Sequence, residues 1–287
     1  MHIVVCIKQV PDSAQIRVHP VSNTIMRQGV PAIVNPYDLY ALEEALRLKD
    51  RHGGRVTVLC MGPSQADAAL RKALSFGADE AILLSDRAFA GSDTLATSYA
   101  LAAAIQRIRE DMPVDLVFAG KQTIDGDTAQ VGPGIAKRLG LQLLTYVAKI
   151  DALDLELQQI VIHRRAEGGV QVLKTKLPCL VTVLEGINEM RFATMDDMFR
   201  AARHPLKVWD KSAAGIGDLS KIGLKGSPTV VAKVFAPQPK ARKAERIEVH
   251  GDAPTDLAAT LLTKLFTHHP QLEREIAGRA SSSMRQL

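Results

Sequence analysis

Within the first 140 residues, short runs of consecutive apolar residues alternate with longer stretches of helical period, and few folds accept that alternation. Residues 3–7 (IVVCI), 56–61 (VTVLCM), 80–84 (EAILL) and 115–119 (DLVFA) are largely continuous apolar runs, the mark of strands covered on both faces. Between the first two lies a loop marked by proline and aspartate (VPDSAQI), a polar stretch through Arg27, and a helix beginning at Asn35-Pro36. Proline suits the first helical turn because its missing N–H has no intrahelical acceptor there. Leu39, Leu42, Ala45, Leu46 and Leu48 supply that helix's apolar face, with Glu43, Glu44, Arg47 and Lys49 mostly opposite, and Gly53-Gly54 stops it. Ser64 is placed to cap a helix reaching about Phe76, and residues 94–110 form a long helix. A glycine-bearing loop after residue 119 leads into a helix ending near Leu139-Gly140. Strand–helix–strand repeats join parallel strands by right-handed crossovers. The expected fold is therefore α/β, a doubly wound and mostly parallel sheet with residues 3–7 near its centre.

After Gly140 the pattern changes. Residues 142–150, 157–163, 170–175 and 180–184 read as strands with little helix between them. They are expected to be antiparallel additions to the sheet, with a hairpin turn at Glu167-Gly168-Gly169. A second change falls near Asp210. Residues 211–246 are rich in Gly, Ser, Pro and Lys, and a helix over 255–267 carries Leu257, Leu261, Leu262, Leu265 and Phe266. The expected division is an α/β domain over 1–210 and a C-terminal arm over 211–287. The arm has too little apolar content for a core of its own, so it either lies on another surface or is a loose terminus.

Composition narrows the function. Aromatic residues are 4% of the chain and the net charge is a dispersed +5, which argues against a nucleic-acid platform. Cys6, Cys60 and Cys179 sit inside apolar runs and read as buried strand thiols; no cysteine or histidine spacing suits a metal. The stretch before Lys8 is a strand rather than a signal peptide, and no apolar run approaches the ~20 residues of a membrane span. A cytoplasmic protein is expected. No GxSxG or HExxH occurs, so any redox chemistry must come from a cofactor.

In an open parallel sheet, ligands bind at the carboxyl ends of the strands. Three segments reach that edge: residues 6–10, Met61-Gly62-Pro63, and residues 120–136 (GKQTIDGDTAQVGPGIA). The third leaves a buried strand and is expected to open a helix at about Thr128, whose free N–H groups and dipole suit a phosphate. Gly126, Gly132 and Gly134 allow close backbone approach, and Thr128 and Gln130 offer uncharged hydrogen bonds. Asp125 and Asp127 would repel a phosphate unless they cap the helix or bond ribose hydroxyls. The segment is neither a Walker A loop nor GxGxxG. On these residues alone, a capped helix following a strand explains it equally well.

KQVPD (8–12), NPYDLYALEEALRLK (35–49), GADEAILLSD (77–86), DLVFAGKQTIDGDTAQVGP (115–133), KLPCLVTV (176–183) and INEMRFATMDDMFRA (187–201) together resemble the β subunit of electron-transferring flavoproteins. The resemblance implies a Rossmann-like, adenine-nucleotide-binding fold working with a larger α subunit that holds FAD. Ordinary members bind AMP in β. The run from Asp125 to Pro133, with GLKGSPT at 223–229, is more similar to the electron-bifurcating and nitrogen-fixation subgroup, in which β binds a second FAD. That flavin takes two electrons from NADH, sending one to ferredoxin or flavodoxin and one through the α flavin to a quinone-linked or acyl-CoA dehydrogenase. By matched position, the implied cofactor contacts are Cys6, Asn35, Pro36, Tyr37, Asp38, Met61, Asp125, Gly126, Asp127, Thr128, Ala129, Gln130, Val131, Gly132, Pro133, Gly134, Ile135 and Ala136. The implied partner-docking segment includes Arg191, Phe192, Ala193, Thr194, Met195 and Met198. Met195 replaces the usual leucine, and the two methionines could equally pack an amphipathic helix. Arg165 stands near a position where ordinary members carry a glutamate, so that salt bridge is not expected. The C-terminal arm would wrap the α subunit, and any membrane association would be peripheral, through partners. A housekeeping β subunit with AMP, serving acyl-CoA dehydrogenases, and a stand-alone ATP-binding module are the alternatives.

Overall fold

A computed structural model describes residues 1–12, 17–18, 25–26, 31–230 and 254–283. Its first compact unit spans Met1–Ala236. The strands are β1 (His2–Ile7), β2 (Gln9–Pro11), β3 (Arg17–Val18), β4 (Ile25–Met26), β5 (Ala32–Val34), β6 (Arg55–Met61), β7 (Glu80–Leu84), β8 (Leu116–Gly120), β9 (Gln142–Asp154), β10 (Gln159–Ala166), β11 (Gly169–Lys176), β12 (Cys179–Val183) and β13 (Lys207–Trp209). Nine form one sheet in the order β11-β10-β9-β12-β8-β1-β6-β7-β13. The helices of this unit are α1 (Pro36–His52), α2 (Asp67–Ser75), α3 (Thr94–Asp111), α4 (Val131–Leu139) and α5 (Met195–Arg203).

Strand β1 runs parallel to both β6 and β8. The chain steps from β1 to β6 to β7 on one side, then returns through α3 to β8 on the other. The reversal puts the topological switch point between β1 and β8, where ligands of such sheets bind. Side chains alternate between two apolar layers. Ile3 and Val5 pack with Leu42, Leu46, Leu70 and Leu74 of α1 and α2. Val4 and Cys6 pack with Leu101, Ile105 and Ile135 of α3 and α4.

Two expectations need correction. Only β10 and β11 are antiparallel additions. Strand β12 is parallel to β8 and also to β9, lying between them. All five of its residues are buried, so its CLVTV run is another doubly covered parallel strand and carries the same signature as β1. The helix after β8 opens at Val131 rather than Thr128. Asp127 and Ala129 both have φ near +50°, and that left-handed backbone prolongs the loop by three residues.

The hairpin falls where expected. Ala166 pairs with Gly169, leaving Glu167-Gly168 as a two-residue turn. Ser64 begins a short 3-10 turn ahead of α2 and makes no side-chain cap. Strands β2, β5 and β13 are too short to show in the pattern. Beyond Asp210 the chain does not leave the unit at once, for Ala214, Ile216 and Ile222 are buried in the α3–α4 layer.

The second unit spans Pro237–Leu287. Its described part is α6 (Pro254–His268), close to the expected 255–267, and α7 (Pro270–Ser283), which was not anticipated. None of the residues of α6 is buried.

Candidate functional site at the carboxyl edge of the sheet

Asp38, in the first turn of α1, sits at the switch point and is 5% exposed. Its carboxylate accepts the backbone N–H of Lys8, the residue just after β1, at 2.8 Å and of Gly120, the last residue of β8, at 3.1 Å. One side chain thus satisfies donors of both strands where they part, which fixes α1 against the sheet edge. Burial pushes its carboxyl up to about 7, against the opposing pull of those N–H donors, Asn35 and Lys8. Gly120 is required by close approach. A Cβ there would lie 2.5 Å from the Asp38 Oδ1 and 2.6 Å from Tyr37.

Asn35 caps nothing with its side chain; it holds the loop instead. Its amide donates to the Gln122 carbonyl at 2.9 Å and its oxygen accepts the Ile124 N–H at 3.2 Å. Residues 125–128 are left exposed, while Gly132, Ile135 and Ala136 turn into the core. Asp125 is bound by the Lys8 ammonium at 2.7 Å. Burial works to raise its pKa, and hydrogen bonds from Lys8 and Thr123 outweigh that, leaving it below the usual carboxylate range. Asp127 accepts from the Gln122 side-chain amide at 2.7 Å. Both carboxylates are therefore engaged by neighbours in this chain. The Gln130 side chain accepts from the Thr94 hydroxyl at 2.9 Å and does not cap α4. The start of α4 consequently presents its backbone N–H groups without a side-chain cap of its own.

The remaining expected contacts are spread along the same edge. Pro36 and Tyr37 begin α1 half-buried, and the Lys121 ammonium lies 5.0 Å from the Tyr37 ring centre. Met61 ends β6, half-buried. Cys6 is 7% exposed, and burial pushes its thiol strongly up, as it raises Cys60 and Cys179 to about 12. All three cysteines are free and buried, as expected. Sequence reasoning missed Lys8 and Thr94, whose roles arise only when distant segments meet. Asp93 was missed too, although an aspartate before an apolar helix is a readable cap; it accepts the N–H groups of Leu95 and Ala96. Thr229, in the GLKGSPT segment, closes on the same carboxylate through its N–H at 3.1 Å and its hydroxyl at 2.8 Å.

At the docking segment, Phe192 is 96% exposed, Met195 64% and Met198 41%. Met195 is largely open to solvent, and Met198 is partly covered within this chain. Phe199, 54% exposed, extends the same apolar group and was not anticipated. Thr194 caps α5 by accepting the Asp197 N–H at 3.1 Å. Ala193 packs partly on the core, and Arg191 is turned inward onto Glu43. Arg165 lies 3.7 Å from Glu185 of its own chain.

Among the described residues no cluster suits a metal ion, and no helix is long and apolar enough to cross a membrane.

Residues 22–214 match the electron transfer flavoprotein domain. The chain belongs to the electron transfer flavoprotein family. It is 72% identical over 280 residues to a protein named FixA from Azotobacter vinelandii, covering 98% of this chain and 100% of the relative. Identity to the FixA protein of Sinorhizobium fredii is 62% over 284 residues, 99% of this chain and 100% of that one. The electron transfer flavoprotein subunit beta of Clostridium acetobutylicum is 45% identical over 269 residues, 94% and 99% of the two chains. The fold agrees with that family: a largely parallel sheet with antiparallel additions. The family association is with a flavin or nucleotide in an assembly with an α subunit.

Proposed function

We propose that this chain binds FAD at the carboxyl edge between β1 and β8 and, with an α subunit, takes electrons from NADH. One electron goes to ferredoxin or flavodoxin and the other, through a flavin on the α subunit, to a quinone-linked dehydrogenase. A flavin supplies what this chain lacks, a group that accepts two electrons together and releases them singly. The observation that carries the reading is the state of the loop at 120–130. The Lys8 ammonium offsets the charge of Asp125, and the Gln122 amide holds the Asp127 carboxylate by a hydrogen bond, which lessens the electrostatic objection to a diphosphate at the start of α4. Asn35 and Asp38 hold the loop and strand ends in place. The exposed Phe192, Met195 and Met198 offer an apolar surface to the acceptor protein. Similarity to proteins named FixA favours this reading; AMP in this subunit, with FAD on the α subunit, is the second.

The test is to purify the chain with its α subunit and identify the bound nucleotides. Two FAD per αβ pair, both bleached by NADH, is the expected result. One FAD with one AMP would replace this reading with the housekeeping one.

A further inference from the structure

Residues 184–194 have no regular secondary structure, yet they lead into the most exposed apolar group of the unit. Two buried carboxylates of α1 hold them. Glu43 is 3% exposed and Glu44 6%. The Glu43 Oε2 accepts the Arg191 backbone N–H at 3.2 Å and its Nε–H at 2.8 Å. The Oε1 accepts from Arg191 Nη2 at 3.3 Å and Arg47 Nε at 2.8 Å. Arg191 also reaches Asp50 at 2.8 Å, and Arg47 donates to the Glu189 carbonyl at 3.0 Å. Glu44 accepts from the Asn188 amide at 3.0 Å, which also donates to the Tyr40 carbonyl.

Burying a carboxylate–guanidinium pair gives less stability than apolar packing of the same volume. Its geometric definition is its advantage, since a planar guanidinium forked on one carboxylate admits one arrangement. Phe192 follows Arg191 directly and is 96% exposed. A side chain that exposed has no packing of its own to orient it, so its direction is inherited from Arg191.

We propose that Glu43 and Arg191 are a positioning pair that aims the Phe192, Met195 and Phe199 surface at the acceptor protein. The inference rests on the docking role given to that surface above. Because Asn35 directly precedes α1 and Asp38 lies in its first turn, α1 braces both the nucleotide loop and the docking segment.

The test uses the αβ complex and two acceptors: purified quinone-linked dehydrogenase, which must dock, and the dye dichlorophenolindophenol, which need not. Glu43→Gln keeps the side-chain shape and removes the charge. It is expected to raise KM for the dehydrogenase about tenfold, as loss of a charge-assisted bond would. Flavin content, kcat and the dye rate stay at the parent values. Arg191→Lys, which keeps the charge and cannot fork, gives a similar rise. The double variant is no worse than either single one, because both remove the same interaction. Unchanged KM in both single variants, with a raised KM in Phe192→Ala, overturns the positioning role and leaves docking intact. Unchanged KM in Phe192→Ala and Met195→Ala overturns the docking reading and this inference with it. A loss of dye rate equal to the loss with the dehydrogenase also overturns it, since the defect is then in the flavin sites.

Discussion

Helices α1 and α6 have similar leucine patterns and opposite fates. In α1, Leu42, Leu46 and Leu48 are at most 1% exposed. In α6, Leu257, Leu261, Leu262 and Leu265 are 37–49% exposed. Each helix has an apolar face; α1 lays its own on the sheet of the first unit, and α6 belongs to the second unit, where none of its residues is buried. An apolar stripe specifies that a helix will seek a surface; it does not say whether that surface belongs to the same chain.

The comparison can be broken by experiment. Leu46→Ala should cost about 2–5 kcal/mol, the cavity cost of a fully buried leucine, measured by urea unfolding of the isolated chain. Gly120→Ala should cost about 1–3 kcal/mol by driving a methyl against Asp38 and Tyr37 at the start of α1, and it should reduce bound nucleotide in the αβ complex. A stable, fully loaded variant would show that α1 is not wedged against β8.

Asp38 gives α1 a pH signature. Its carboxyl rises from an ordinary 3.8 to about 7 in the fold. Between those values the folded chain keeps a proton that the unfolded chain has released. Its contribution to stability therefore falls as pH rises, by up to about 1.4 kcal/mol per pH unit. Asp38→Asn should flatten that slope in urea midpoints taken across this range. An unchanged slope would assign it to other groups. The smallest effect belongs to α6. Leu261→Ala should change the stability of the isolated chain by less than about 0.5 kcal/mol while weakening association with the α subunit, as followed by calorimetry. A large loss of stability would mean that α6 is covered by its own chain.

Much of the fold was legible. The continuous apolar runs at 3–7, 56–61, 80–84 and 115–119 became β1, β6, β7 and β8. The run expected at 180–184, which became β12, had the same signature and was misread because the two strands before it in sequence form an antiparallel hairpin, which shows that apolar continuity is a better guide than company. The loop at 120–130 was legible as an edge segment. Its helix start was not, because Ala129, the second of two residues with positive φ, carries no turn signal.

The sequence by itself determined the longer strands, most of the helices and the loop that reaches the carboxyl edge, because periodicity and turn chemistry are local. Only the tertiary structure decided that Asp38 bridges β1 and β8, that Lys8 pairs with Asp125, and that Glu43 locks Arg191 148 residues away. Those contacts join polar and charged groups that carry no mark of their partners until packing brings them within hydrogen-bonding reach.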